Sequence, residues 1–256
     1  MGKDKQPSRI KKTFSRMITI VCLTVFVYSI YALGSIFYDY YHNRQVLAEV
    51  QDIYDSLEIP EEEVSYGDFR SQFFDLHKIN PDIVGWITVE GTIINYPILQ
   101  TKDNDYYLNR NYKGEDSRAG SIFMDYRNNV EEENRNTIVY GHRMKDDTMF
   151  NSLTNYLDEE FFKAHQTINY DTMYGSYDAE VFAAYYTTTD FDYIQTDFDS
   201  NEEYASFLSE VEDKSEIEAD FDVNADDQIV TLSTCDYTLD PDEGRLVVHA
   251  KIVNKQ

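Results

Sequence analysis

Between Arg16 and Asp39 the chain reads MITIVCLTVFVYSIYALGSIFY, 22 residues without a charge. At the helical rise such a run spans about 33 Å, enough to cross the apolar core of a bilayer. The pattern predicts a transmembrane helix over 17–38. The competing reading is a secretory signal peptide, whose apolar run is usually shorter and ends at a small-residue cleavage site; Ala32-Leu33-Gly34 matches that weakly. Val46, Val50, Ile53 and Leu57 then recur at helical spacing and predict a helix leading out of the membrane. EIPEEEVSYG (Glu58–Gly67) reads as an acidic linker. Asp68 is placed to cap a short helix presenting Phe69, Phe73 and Leu76.

From Ile83 the period changes from helical to that of short β-branched and aromatic runs. Strands are predicted over Ile83–Val89, Thr92–Ile98, Gly120–Met124, Thr137–Tyr140, Thr167–Tyr170, Ala179–Thr187, Gln228–Ser233 and Arg245–Val253. Phe150–Ala164 and Asn201–Val211 read as helices, the second with Tyr204, Phe207, Leu208 and Val211 on one side. Many strands with few helices suggest a mainly β domain, a closed barrel or sandwich carrying helical insertions. The expected organisation is a basic tail over 1–16, the span over 17–38, a juxtamembrane helix and linker over 39–67, and a folded domain over 68–256.

Charge sharpens this topology. Six of the 22 basic residues fall in Met1–Arg16 against one acid, Asp4, while residues 17–256 carry 16 basic and 47 acidic residues. A basic flank stays in the cytoplasm, which puts the C-terminal domain outside the cell. So acidic a domain repels nucleic acid and anionic lipid. No stretch has the ligand spacing of a calcium-binding loop.

Topology also separates the two cysteines. Cys22 lies within the span and Cys235 in the external domain, so they do not pair. A lone external thiol points to reactivity or intermolecular pairing, with burial as a small hydrophobe as the alternative. Cys235 ends QIVTLSTC, His142 follows TIVYG, and Arg245 opens RLVVHAKIV ten residues after the cysteine. Antiparallel pairing of the last two strands would bring Cys235 and Arg245 together. A thiol, a base that titrates near neutrality and a fixed cation are what cysteine acyl transfer needs. The residues alone leave His249 in play beside His142, which is favoured by its place at a loop edge. Arg245 could instead pair with Asp242 or Glu243.

TLSTC at Thr231–Cys235 with Arg245 resembles the TLxTC…R signature of sortases, and TIVYGH at Thr137–His142 resembles that family's histidine motif. NPDIVGWI (Asn80–Ile87), INYPILQ (Ile94–Gln100), GSIFMDYRN (Gly120–Asn128), DDTMF (Asp146–Phe150) and YIQTDF (Tyr193–Phe198) are similar to the class B branch, and the likeness runs in order through 68–256. The resemblance implies a closed eight-stranded β-barrel with N-terminal helices and a helical insertion before the last strands. It implies a membrane-anchored cysteine transpeptidase: Cys235 as nucleophile, His142 as acid/base, Arg245 as oxyanion partner. Its substrates would be surface proteins with a C-terminal sorting signal, NPQTN- or SPKTG-like, cut after Thr. The acceptor would be an amine of a lipid-linked peptidoglycan precursor or of the wall. Substrate contacts fall on Asn104, Tyr140, Thr189, Tyr193, Ile194, Ser233 and Asp236, the last standing where some relatives carry Glu. No metal or cofactor is implied. The rival functions are a papain-like extracellular cysteine hydrolase, which usually places its Cys at a helix N-terminus rather than a strand end, and a non-catalytic wall-associated binding protein.

Overall fold

The computed structural model describes residues 9–56, 65–66, 69–236 and 238–255. Helix α1, Arg9–Ser56, is continuous, so the span and the juxtamembrane helix are one element rather than two. Charged residues from Asp39 onward change the solvent the helix suits, not its hydrogen bonding. Chain contacts divide the molecule into residues 1–44 and 45–256. In the first unit α1 is long and apolar enough to cross a membrane, and Ile18, Val21, Leu23 and Phe26 are exposed.

In the second unit the end of α1 buries Val46, Leu47 and Val50. The Tyr54 ring stacks on Trp86 at 4.0 Å between centroids, and its hydroxyl donates to Asp171 Oδ2 at 2.6 Å. Leu57, most of the linker and Asp68 lie outside the described residues. Ser65–Tyr66 pairs with Phe69–Arg70, so the backbone of Phe69 belongs to this short ladder. Helix α2, Ser71–Ile79, starts after it and buries Phe73 and Leu76; Arg70 stands at its N-cap and makes no capping bond, its guanidinium donating instead to Asp171 Oδ1 at 2.9 Å.

Eight strands close the barrel: β1 Ile83–Thr88, β2 Asn95–Leu99, β3 Ile122–Met124, β4 Asn136–Tyr140, β5 Thr167–Thr172, β6 Ser176–Thr187, β7 Ile229–Cys235 and β8 Arg245–Lys255. The order around it is β8-β6-β5-β1-β2-β3-β4-β7, returning to β8. Only β2/β3 and β4/β7 are parallel. All eight predicted strands are present. Strand β2 starts late because Thr92 is spent on a turn, its hydroxyl donating to Val89 O at 2.8 Å and accepting from Ile94 N at 3.0 Å.

The helix expected over Phe150–Ala164 is broken. A 3-10 stretch, Phe150–Leu157, gives way to α3, Glu159–Ala164, because the Asp158 carboxylate caps the Phe161 N–H at 2.9 Å. Helix α4, Asn201–Lys214, is capped by Ser200 and lays Tyr204, Phe207, Leu208 and Val211 against Tyr185, Ile229 and Val247. It is the helical insertion before the last two strands.

Candidate active site

Strand register assembles the site. On the β7/β8 ladder Arg245 lies directly opposite Cys235. On the parallel β4/β7 ladder Tyr140 lies opposite Ser233, and the Gly141 N–H continues it to Ser233 O at 3.1 Å. His142 therefore leaves β4 at the end of the barrel where Cys235 ends β7. The return from Cys235 to Arg245 is a tight loop. Asp240 accepts from the N–H groups of Asp242 and Glu243, each at 2.8 Å, and these bonds hold its carboxyl below the usual range. A Cβ on Gly244 would lie 2.1 Å from Asp236 O and 2.5 Å from Asp240 O, so only glycine closes the loop there.

A cavity of about 250 Å³ opens at this point, lined by Asn104, Asp105, Leu108, Phe123, Tyr140, Gly141, His142, Ser233, Thr234, Cys235 and Arg245. Cys235, His142 and Arg245 are all half-buried. His142 Nε2 lies 2.6 Å from Leu108 O. A carbonyl only accepts, so Nε2 carries the hydrogen and Nδ1 is free to exchange a proton. Arg245 Nη1 donates to Gly244 O at 2.8 Å and Asp242 O at 3.4 Å. Among the described residues it forms no ion pair with the Asp242 or Glu243 carboxylates, and Glu243 Oε2 instead accepts from the Thr189 hydroxyl at 3.2 Å.

Asn104, Tyr140 and Ser233 line the cavity, whereas Thr189, Tyr193, Ile194 and Asp236 do not. Tyr193 stands behind the wall, its hydroxyl 2.9 Å from Ser233 Oγ. Burial raises its pKa, against hydrogen bonds from Ser233 and Arg245 that lower it. Asp236 lies back from the cavity. Its side chain is 1% exposed, and the carboxylate is taken up by Arg143 and the Thr238 N–H. It ties the loop after Cys235 to the residue after His142.

His249 takes no part in the cavity. It is fully buried in the aromatic cluster under α4, opposite Thr231 on β7. Thr231 is four residues, about 13 Å of strand, from Cys235. The Asn136 amide donates to the carbonyls of Tyr193 and Gln195 at 3.3 and 2.9 Å, which leaves its oxygen to accept from Thr231 Oγ1 at 2.6 Å. Thr231 must then accept from His249 Nδ1–H at 2.8 Å, and His249 Nε2 accepts from Tyr185 OH at 2.8 Å. Both ring nitrogens are used, and burial lowers the imidazole pKa to about 3.

Sequence reasoning passed over Asp125 and Arg127, which tie Asn104 and Tyr140 together beneath the cavity. The available signal was an acid closing the buried run IFM with an arginine two residues on. Leu108 was also missed, because a backbone carbonyl leaves no trace in residue type. Among the described residues no group of three or more His, Cys, Asp or Glu side chains is arranged to hold a metal.

Comparison with known proteins agrees with this geometry. A family model described as the sortase domain matches residues 87–253. Sortase B of Listeria monocytogenes is 44% identical over 247 residues, covering 96% of this chain and all of the relative. A crystal structure of sortase B from B. anthracis in complex with AAEK1 superposes with a TM-score of 0.78 at 60% identity, covering 86% of this chain and all of that one. A Staphylococcus aureus sortase B–substrate complex gives 0.77 at 44% identity, covering 83% and 97%. Family, barrel and the strand-end cysteine agree, and the chain belongs to the sortase family of cysteine transpeptidases, in its class B branch.

Proposed function

We propose that this sortase is held in the cell membrane by the helix over 17–38, with residues 1–16 in the cytoplasm, and that its external domain over 68–256 cuts a C-terminal sorting signal after Thr. The new carboxyl end passes to an amine of the cell wall or its lipid-linked precursor. The basic flank of the apolar run supports the orientation. Tethering keeps enzyme, emerging substrate and lipid-borne acceptor in one thin layer, which raises their effective concentration.

The observation that carries the catalytic reading is the register: Arg245 faces Cys235 across one ladder, and His142 arrives beside it along the other. In the first half-reaction Cys235 Sγ, as thiolate, bonds to the Thr carbonyl carbon, and the carbonyl oxygen becomes an oxyanion within reach of the Arg245 guanidinium. The C–N bond then breaks and the departing amine takes a proton from His142 Nδ1. In the second half the acceptor amine bonds to the thioester carbonyl, gives its proton to Nδ1, and Sγ leaves as thiolate. Hydrogen bonding of Nε2–H to Leu108 O holds the ring in the tautomer this needs. Asn104, Tyr140 and Ser233 contact the signal directly, while Tyr193, Ile194 and Thr189 shape the wall around it.

The test is a peptide library, NPQTN- and SPKTG-like signals included, incubated with and without a wall-type amine. A transpeptidase gives mainly the amide product with the amine present and a mass-detectable thioester on Cys235. Turnover surviving in Cys235→Ala overturns the nucleophile, and free acid as the main product with amine in excess turns the reading toward a hydrolase. Protease protection in membrane vesicles tests orientation: the proposal fails if the domain over 68–256 is shielded on the cytoplasmic side.

A further inference from the structure

The walls of the cavity come from separate stretches of chain, and three of them meet on one ion pair, a buried carboxylate with a partly exposed guanidinium. Asp125, immediately after β3, is fully buried. Its Oδ1 accepts from Arg127 N at 2.9 Å and Arg127 Nε at 2.8 Å. Its Oδ2 accepts from Arg127 Nη2 at 2.8 Å, Asn104 Nδ2 at 2.9 Å and Tyr140 OH at 2.8 Å. Arg127 Nη2 also donates to the Ile194 carbonyl at 2.9 Å. Burial opposes a charge here, yet the bonds from Arg127, Tyr140 and Asn104 hold the carboxyl below its usual range. The pair stays charged, and its geometry is the planar fork that arginine offers and lysine does not.

Chain stretch 188–200 forms neither helix nor strand, so side chains must place it. Asn136 and the Tyr193 hydroxyl hold it on one side. Arg127 ties it to the carboxylate that also holds Asn104 and Tyr140. We propose that Asp125 and Arg127 are positioning residues of the sorting-signal cleft: the carboxylate sets Asn104 and Tyr140, and the guanidinium holds Ile194 against them. Neither touches Cys235, so they act on how the signal is gripped rather than on bond making. The proposal rests on reading this cavity as the sorting-signal cleft.

The experiment uses the full chain in detergent micelles with Arg127→Met, Arg127→Lys and Asp125→Asn. Arg127 is 33% exposed and the loop keeps its other ties, so the Met variant should fold. Losing the charge-assisted bonds should raise KM for a cleaved sorting-signal peptide about tenfold or more, with kcat changed less than about threefold. Arg127→Lys should recover part of that loss. Alkylation of Cys235 by a small neutral reagent should hold within about twofold, because the thiol's surroundings are untouched. Amide exchange over 191–196 should quicken in the Met variant. An unchanged KM with unchanged exchange overturns the proposal, as does a fall in kcat and alkylation together. If the wild type cleaves no such peptide, the functional reading fails by itself, and exchange over 191–196 still decides whether Arg127 holds the loop.

Discussion

His249 makes the separation of the two histidines measurable. Its ring is sealed under α4 with both nitrogens hydrogen-bonded, and burial lowers its pKa from 6.5 to about 3. In the unfolded chain the same ring takes a proton as pH falls through about 6.5, whereas in the folded protein it stays neutral until about pH 3. The unfolded state therefore binds more protons throughout that window. The stability contribution is present above the unfolded pKa and is lost as pH falls toward the folded one. One proton is worth about 1.4 kcal/mol per pH unit, so between about pH 7 and about pH 5 the loss is roughly 2 kcal/mol. Carboxylates also titrate toward the acid end, so the quantity to measure is a difference of differences. His249→Gln cannot take the proton, and the stability of the wild type relative to that variant should shrink by roughly 2 kcal/mol from about pH 7 to about pH 5. Trp86, the only tryptophan and 1% exposed, reports unfolding in urea by its fluorescence. A difference that does not move with pH refutes the buried neutral ring. A folded His249→Gln enzyme without turnover refutes the exclusion of His249 from the chemistry.

The other predictions concern the end of the barrel. Arg245→Lys keeps the charge but loses the fork, and kcat should fall about a hundredfold with peptide KM little changed; a raised KM with kcat unchanged would make Arg245 a ground-state clamp instead. Arg143→Ala leaves the Asp236 carboxylate buried with the Thr238 amide, which should cost about 2 kcal/mol in urea unfolding, toward the low end for a broken buried pair because Arg143 is 36% exposed. Full stability in that variant would mean Asp236 is protonated or rehydrated. Gly244→Ala drives a Cβ into two backbone carbonyls, so the loop must open and Cys235 must lose its register with Arg245. Turnover should fall more than tenfold while Trp86 fluorescence stays native, and an unaffected enzyme would show that the loop can yield.

Much of this fold could be read from period alone. Runs such as IVGWIT and RLVVHAKIV have the branched and aromatic content of buried strands, and the short return from Cys235 to Arg245 left little choice but an antiparallel pair. Two kinds of feature stayed out of reach. One is competition inside a segment: Phe150–Ala164 carries a helical apolar pattern, yet a single carboxylate at Asp158 restarts the helix there, and no period records it. The other is what covers a strand face. His142 and His249 are both imidazoles at the edge or middle of a buried strand, and spacing ranks them only weakly. The barrel order sets β4 beside β7 and Thr231 opposite His249, the Asn136 oxygen accepts from the Thr231 hydroxyl, and α4 closes over the ring. Beyond Tyr140 the parallel β4/β7 ladder runs out into the open cavity where His142 can exchange a proton. The same pairing that buries one histidine thus exposes the other. Function here follows position along a ladder: residues four apart on β7, Thr231 and Cys235, point the same way, and only the one at the open end lines the cavity.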